Sequence, residues 1–454
     1  MSFILKNITV PDFGIPLERP VIPASTHESR CKRALSACGA DWLVVYGDRE
    51  HFANMSFLTG FEPRFEEALL LLGPADVKII ITGIENQSYT PISPLKDMRT
   101  LLCQSFGLMA QDRTQKPSLV NVLRDAGISA GDRVGLAGWK YLEAAEWESD
   151  RPSFFVPSYI VDSLSVVIGP TGGMSDATRV LMHPTDGLRA VVDADQIAEA
   201  EWAAARAAAA VWRIVNGFKL GDNELMTASR MGYAGEPMNC HPMLATSGPS
   251  APVIGLRSPT ARVPARGDGI TTAVSYWGGL TARAGLISDH DDAFLKVSVA
   301  YFAGLLAWYE TADIGVEGGA IHEAVVSTLA KGNLRPALNP GHLTGHDEWM
   351  NSPIRPDSSE RIVSGMPFQI DIIPVPMPNG WTLNCEDPVT FADDVLRAEI
   401  RAKHPETSAR FDARRSFVKE SLGVEVKDNI LLLSAIPLCL PPFWLSPNML
   451  ITKD

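Results

Sequence analysis

Side chains able to do chemistry are densest in this 454-residue chain between His342 and Trp349. His342 and His346 stand four residues apart, the spacing at which two imidazoles on one helical face hold zinc. Gly341, Thr344 and Gly345 argue against a helix there, since glycine and threonine are poor helix formers. The segment therefore reads as a loop, Gly341-His342-Leu343-Thr344-Gly345, followed by the acidic pair Asp347-Glu348. That pair is either a solvated turn or, at Glu348, a base. An imidazole titrates near neutrality and a neighbouring carboxylate can hold its tautomer, so histidine with carboxylates makes an acid/base set. His241, beside Pro242, is a further candidate. The six cysteines, at 31, 38, 103, 240, 385 and 439, show no CxxC spacing, which excludes a zinc knuckle or a disulfide framework.

Elements must position these groups, and the length sets how many. At roughly 100–200 residues per domain the chain has room for two or three. Hydrophobic residues at 46% and charged residues at 20% are those of a globular protein with a real core. The early part alternates strand-like and helical runs: a helix near Glu28–Cys38, then strands at Asp41–Tyr46, Ala68–Gly73 and Val77–Thr82, with Gly73-Pro74-Ala75-Asp76 as a turn. A helix over Lys116–Ala126 and a strand at Arg133–Ala137 continue an α/β pattern. A long alanine-rich helix, Asp195–Gly217, has Asp193 and Asp195 to cap it and opens a second domain. Helices at Asp291–Glu310 and Glu317–Lys331 follow. With strand-like runs at Gly269–Trp277, Leu280–Ile287, Met366–Pro374 and Trp381–Val389 they suggest an α+β domain. A charged helix, Asp394–His404, and a proline-rich apolar tail end the chain. Residues 1–190 and 191–454 are the expected domains, the second with a C-terminal extension.

Charge and hydropathy exclude several function classes. Acidic residues outnumber basic ones 53 to 40, a net charge of −13, which repels phosphate backbones and argues against nucleic acid as partner. Met1–Lys6 lacks the apolar core of a signal peptide. The stretch Ile430–Leu445 is interrupted by Pro437, Pro441 and Pro442 and is too short to span a membrane. A cytoplasmic protein with reduced thiols and no membrane partner is the expectation.

Four segments of the second domain resemble the creatinase, prolidase, aminopeptidase P and methionine aminopeptidase superfamily. Gly341–Gly345 resembles that family's GHxxG. Gly365-Met366-Pro367-Phe368-Gln369-Ile370-Asp371 is similar to its GMxFTIEP segment, with Asp371 in place of Glu. Leu383–Val389 resembles its RIEDxV strand, with Glu386 at the second carboxylate, and Ser247–Ala251 its SGxNA loop. In the first domain Asn54–Phe61 resembles the NxxYLTGF stretch of creatinase and prolidase. The resemblance covers residues 28–390 and implies an α/β amino-terminal domain followed by an α+β pita-bread domain, a C–N bond hydrolase, and a homodimer.

The resemblance also implies a metal site that this chain does not reproduce. The family's peptidases hold two divalent cations with two Asp, one His and two Glu. Residues 269–288 read GITTAVSYWGGLTARAGLIS, with no acid. Ala273 falls at the first Asp, and Ala282, Arg283 or Ala284 at the second. The family's substrate-binding His falls at Gly255 or Leu256, and its later His at Trp349. His342, Asp371 and Glu386 remain, and they fit either a metal-free acid/base set like that of creatinase, the preferred expectation, or one divalent metal. In the metal-free reading His342 and Glu386 activate water and Asp371 orients the pair or binds a cationic group. Arg283 is expected to bind a substrate carboxylate. Trp277, Trp349 and Trp381 are expected as walls, with His241 and Glu348 as further candidates. Arg64 or Arg49 is a candidate for reaching the partner's site in a creatinase-like dimer.

The expected function is metal-independent hydrolysis of a C–N bond in a small polar metabolite, with no cleavage of prolyl dipeptides. Alternatives on the same fold are a mononuclear-metal hydrolase or lyase, and an inactive paralogue that binds a ligand or partner.

Overall fold

The computed structural model describes residues 2–454. The chain divides into two units, one of Ile22–Ala190 and one that joins the residues up to Val21 to Val191–Asp454. The first 21 residues were expected in the amino-terminal domain. They belong instead to the second unit, because the strand Phe3–Asn7 pairs antiparallel with Met449–Lys453.

The Ile22–Ala190 unit carries a six-stranded mixed sheet in the order Arg99–Leu102, Val77–Thr82, Ala68–Gly73, Trp42–Gly47, Arg133–Ala137, Gly173–Asp176. Its middle strands are apolar along their whole length because both faces are covered. Ala75 and Asp76, at φ 57° and 59°, make the tight turn between the second and third of these strands. The helix starts at Leu119 rather than Lys116, because Ser118 caps it by accepting from the Asn121 N–H.

The second unit is built on an antiparallel sheet. Its strands run in the order His342–Leu343, Pro367–Ile370, Asn384–Phe391, Gly279–Leu286, Gly269–Tyr276, Met243–Ser247, and Ile430–Leu432 also pairs with Asn384–Phe391. The helix Ala194–Gly217 packs on the hairpin at Gly278-Gly279, with Asp193 as its cap. A Cβ at Gly279 would lie 2.7 Å from the Ala204 Cα, so the alanine run and the two glycines answer one another. On its other flank Glu201, fully buried, accepts from Arg410 and Arg414 at 2.6 Å each. Helices Asp292–Thr311 and Gly318–Ala330 pack together in the same unit. Among the described residues no helix is long and apolar enough to cross a membrane.

Candidate active site

Strand parity builds the site. Glu386 stands opposite Ala282, and Ala282 opposite Ala273, which in turn faces Met243. On the other side of Asn384–Phe391, Gln369 pairs with Pro388 and with His342. Side chains alternate between faces, so residues of one parity share a face. His342, Gln369, Asp371, Asn384, Glu386, Ala282 and Ala273 therefore look out from one side of the sheet. All seven are buried.

His342 has no exposed surface, and its Nδ1 lies 3.2 Å from the Leu343 carbonyl oxygen. A carbonyl only accepts, so Nδ1 is the donor in this contact. The loop after it closes on itself, with Leu343 N–H donating to Asn351 O at 2.7 Å and Met350 N–H to Leu343 O at 3.0 Å. This return brings Glu348 Oε1 to 3.1 Å from His342 Nε2 and stacks Trp349 on the imidazole, centroids 4.0 Å apart. The expected partner of His342 was Glu386; the carboxylate facing Nε2 is that of Glu348. Trp349, expected as a wall, covers the imidazole on one side and keeps 41% of its own surface exposed.

Asp371 and Glu386 hydrogen-bond to each other. Burial, then the charge of Glu386, holds Asp371 well above the usual carboxylate range. Burial likewise raises Glu386, opposed by hydrogen bonds from Asn384 and Asp371. The two share a proton, held by Asp371 and donated to Glu386, and they titrate as a pair. Asn384 Nδ2 donates to Glu386 Oε1 at 2.5 Å, and Gln369 Nε2 to the Leu280 carbonyl at 3.1 Å. Neither amide was singled out in the sequence. The usable signal was period two: each precedes a carboxylate by two positions and so shares its face.

The structure places the other expected residues as follows. Arg283 was expected to bind substrate, but it lies on the opposite face of the sheet, fully buried. Its Nη2 donates to both Asp387 oxygens at 2.9 Å, and the guanidinium also meets the carbonyls of Ala282, Glu386, Ile436 and Cys439. It ties the proline-rich tail to the back of the sheet. His241 is exposed and faces the Leu256 carbonyl at 3.1 Å. Arg64 belongs to the Ile22–Ala190 unit, where it bonds Glu62 and Tyr89, and Arg49 is an exposed residue of that unit. Trp381 packs edge-on against Phe294. Trp277 stacks on His346, which meets Glu199 at 2.9 Å, and Arg19 lies over the indole at 5.3 Å while donating to the same carboxylate. This buried cluster, unforeseen in the sequence, anchors the loop that carries His342, Glu348 and Trp349.

The two units have the fold of an α/β amino-terminal domain followed by a pita-bread domain. Solved structures agree. A dipeptidase from Mycobacterium ulcerans matches with a TM-score of 0.60 and 18% identity over 82% of this chain and 94% of its own. The prolidase from Pyrococcus horikoshii gives 0.62 at 11% identity over 80% and 95%. A putative aminopeptidase P from Bacillus anthracis gives 0.58 at 12% over 86% and 99%. No protein-family model and no curated protein matches the sequence.

These likenesses correct the expectation of a site without cofactor, because prolidases and aminopeptidase P are dinuclear metal enzymes. The residues of this chain do not reproduce that dinuclear set. Ala273 and Ala282 occupy the two hairpin positions in register with Glu386 and bring no donor atom. Among the described residues no three His, Cys, Asp or Glu side chains converge as a metal-binding group.

Proposed function

We propose that the chain is a hydrolase of the pita-bread fold that cleaves a C–N bond other than a standard peptide bond in a small polar substrate. The observation that carries this is the meeting of two proton-handling pairs on one sheet face, His342 with Glu348 and Asp371 with Glu386. His342, with Nδ1 committed to the Leu343 carbonyl, presents Nε2 as the atom that takes a proton from water. Glu348, half open to solvent, returns that proton or passes it out. Asp371, held protonated by burial and by the charge of Glu386, is an acid able to donate its proton to a leaving nitrogen, and the proton that His342 took from water returns to the Asp371–Glu386 pair. Water attack on a carbonyl or amidine carbon then expels an amine, with both pairs restored.

The test is amine release by the purified full chain from a panel of amides, ureas, amidines and prolyl dipeptides, with and without added Mn²⁺. Expected is turnover of a non-peptide member, lost in His342→Gln and Glu386→Gln while folding is retained. Preferred cleavage of the prolyl dipeptides, or turnover unchanged in His342→Gln, overturns the proposal.

A further inference from the structure

The loop that carries His342 and Glu348 is fixed at two places. At its base Leu343 bonds Asn351 and Met350 through the backbone. Within the closed loop, buried His346 meets Glu199 of the helix Ala194–Gly217, Nε2 to Oε2 at 2.9 Å, while its own carbonyl accepts from Asn239 Nδ2 at 3.4 Å. Glu348 stands midway between His346 and Met350, so its place beside His342 depends on both holds. The Glu199 carboxylate is divided between its partners. Oε1 accepts from Arg19, Nε at 2.9 Å and Nη2 at 2.5 Å, and Oε2 accepts from Gln196 Nε2 at 2.6 Å and faces His346. Arg19 thus fixes which oxygen is turned to the imidazole. Trp277 ties the same two groups together, since its indole stacks on His346 with centroids 5.4 Å apart and Arg19 lies over it at 5.3 Å.

Arg19 comes from outside the sheet, in the segment that follows the first strand. Leu17 and Val21 on either side of it are apolar yet keep 83% and 82% of their surface exposed, so apolar burial does not hold the segment there. The carbonyls of Pro16 and Leu17 accept from Arg206 and Trp202, both at 3.3 Å. Glu199, Trp202 and Arg206 stand at i, i+3 and i+7 and so share one helix face, along which the segment is docked even without its guanidinium. The Arg19 side chain is free to serve the loop instead. We infer that Arg19 is a positioning residue for the acid/base loop: acting through Glu199 and His346, it sets where Glu348 and Trp349 stand against His342. The consequence for turnover rests on the hydrolase proposed above; the placement itself does not. A misplacement of about 1 Å at a reacting group costs on the order of a hundredfold in rate, so a side chain remote from the chemistry can govern it.

The full-length chain labelled with fluorotryptophan reads the placement directly. Trp349 is stacked on His342 at 4.0 Å, and its fluorine resonance is assigned with Trp349→Phe. Trp381, packed edge-on against Phe294, is the internal control. Expected in Arg19→Met is a shifted Trp349 resonance with that of Trp381 unmoved. Arg19→Lys, which keeps a charged donor, brings the Trp349 resonance back toward its place in the parent. In the amine-release assay kcat falls about tenfold or more in Arg19→Met while KM stays near that of the parent, the pattern of a misplaced reacting group rather than a lost binding contact. A Trp349 resonance unmoved in folded Arg19→Met overturns the inference, and so does a Trp381 resonance that moves with it, the mark of general loosening. A shifted Trp349 resonance with kcat unchanged overturns it as well. Arg19 keeps 32% of its side chain exposed, so its replacement opens no core cavity. Should Arg19→Met fail to fold, Arg19→Gln is read in its place. If the parent turns over nothing, the hydrolase is refuted and the Trp349 resonance alone decides the placement.

Discussion

Arg283→Met separates a structural arginine from a substrate-binding one. The guanidinium is fully buried, and it satisfies both Asp387 oxygens and four backbone carbonyls. Methionine fills much of the same volume but donates nothing. Asp387 then keeps the Leu438 N–H, 3.0 Å away, and loses its charge partner. Breaking one side of a buried pair costs about 3–5 kcal/mol. Burial already raises the Asp387 carboxyl, opposed chiefly by Arg283, so without the arginine it takes up a proton and the loss falls near the lower end, about 3 kcal/mol. For a unit of this size that lowers the midpoint of thermal unfolding by roughly 5 °C. The assay is thermal and urea unfolding followed by tryptophan fluorescence, with Arg283→Met/Asp387→Leu as the second variant. Removing both charges recovers part of the loss, since no lone charge is left buried. Amine release should be unchanged in the folded single variant, because Arg283 faces away from the site. A single variant within about 0.5 kcal/mol of the parent refutes the structural role. Loss of turnover with stability intact would restore the substrate role.

Three further outcomes follow from the same geometry. Glu199 is held down to about 2 from 4.5, with burial opposed by the charges of His346 and Arg19. A depressed acid stabilises above its unfolded value, so Glu199→Gln costs at most about 3 kcal/mol near neutrality. The difference from the parent should fade as pH drops from 4.5 through about 2, read from unfolding midpoints across pH. Asp371 has the opposite sign: its carboxyl is raised, so the parent loses stability as pH climbs above the ordinary value of 3.8. Asp371→Asn should therefore unfold at a higher temperature than the parent at pH 7 and lose that advantage in acid; equal midpoints at pH 7 would count against the shared proton. Ala273→Asp/Ala282→Asp places two carboxylates in register with Glu386. It should be less stable than the parent without metal and gain more from millimolar Mn²⁺, measured by thermal unfolding; an equal Mn²⁺ response in both proteins would contradict the register.

Much of the frame was legible because local pattern encodes it. The alanine-rich helix after Asp193, the strands around Ala68–Gly73 and Val77–Thr82, and the turn between them follow from propensity, capping and period. The glycine-histidine loop and the two carboxylate strands were recognisable by resemblance. The acid-free stretch 269–288 already showed that a dinuclear set could not be built there. Which partner each group meets was not legible. Asp387 follows Glu386 directly, yet one lies behind the sheet with Arg283 and the other in the site, since neighbours on a strand face opposite sides.

The hairpin register had left Ala282, Arg283 and Ala284 open at one position. Pairing of Ala282 with both Ala273 and Glu386 chose among them and sent Arg283 to the back. Glu348 displaced Glu386 beside His342 because the loop closes through backbone bonds that involve no side chain and leave no mark in residue type. Arg19 reaches Glu199 across 180 residues, in the unit where the first strand pairs with the last. Residue types and their periods thus determined the elements and the chemical inventory. Register, loop closure and long-range pairing decided which face each group took, because a one-residue shift turns every side chain of a strand to the other side.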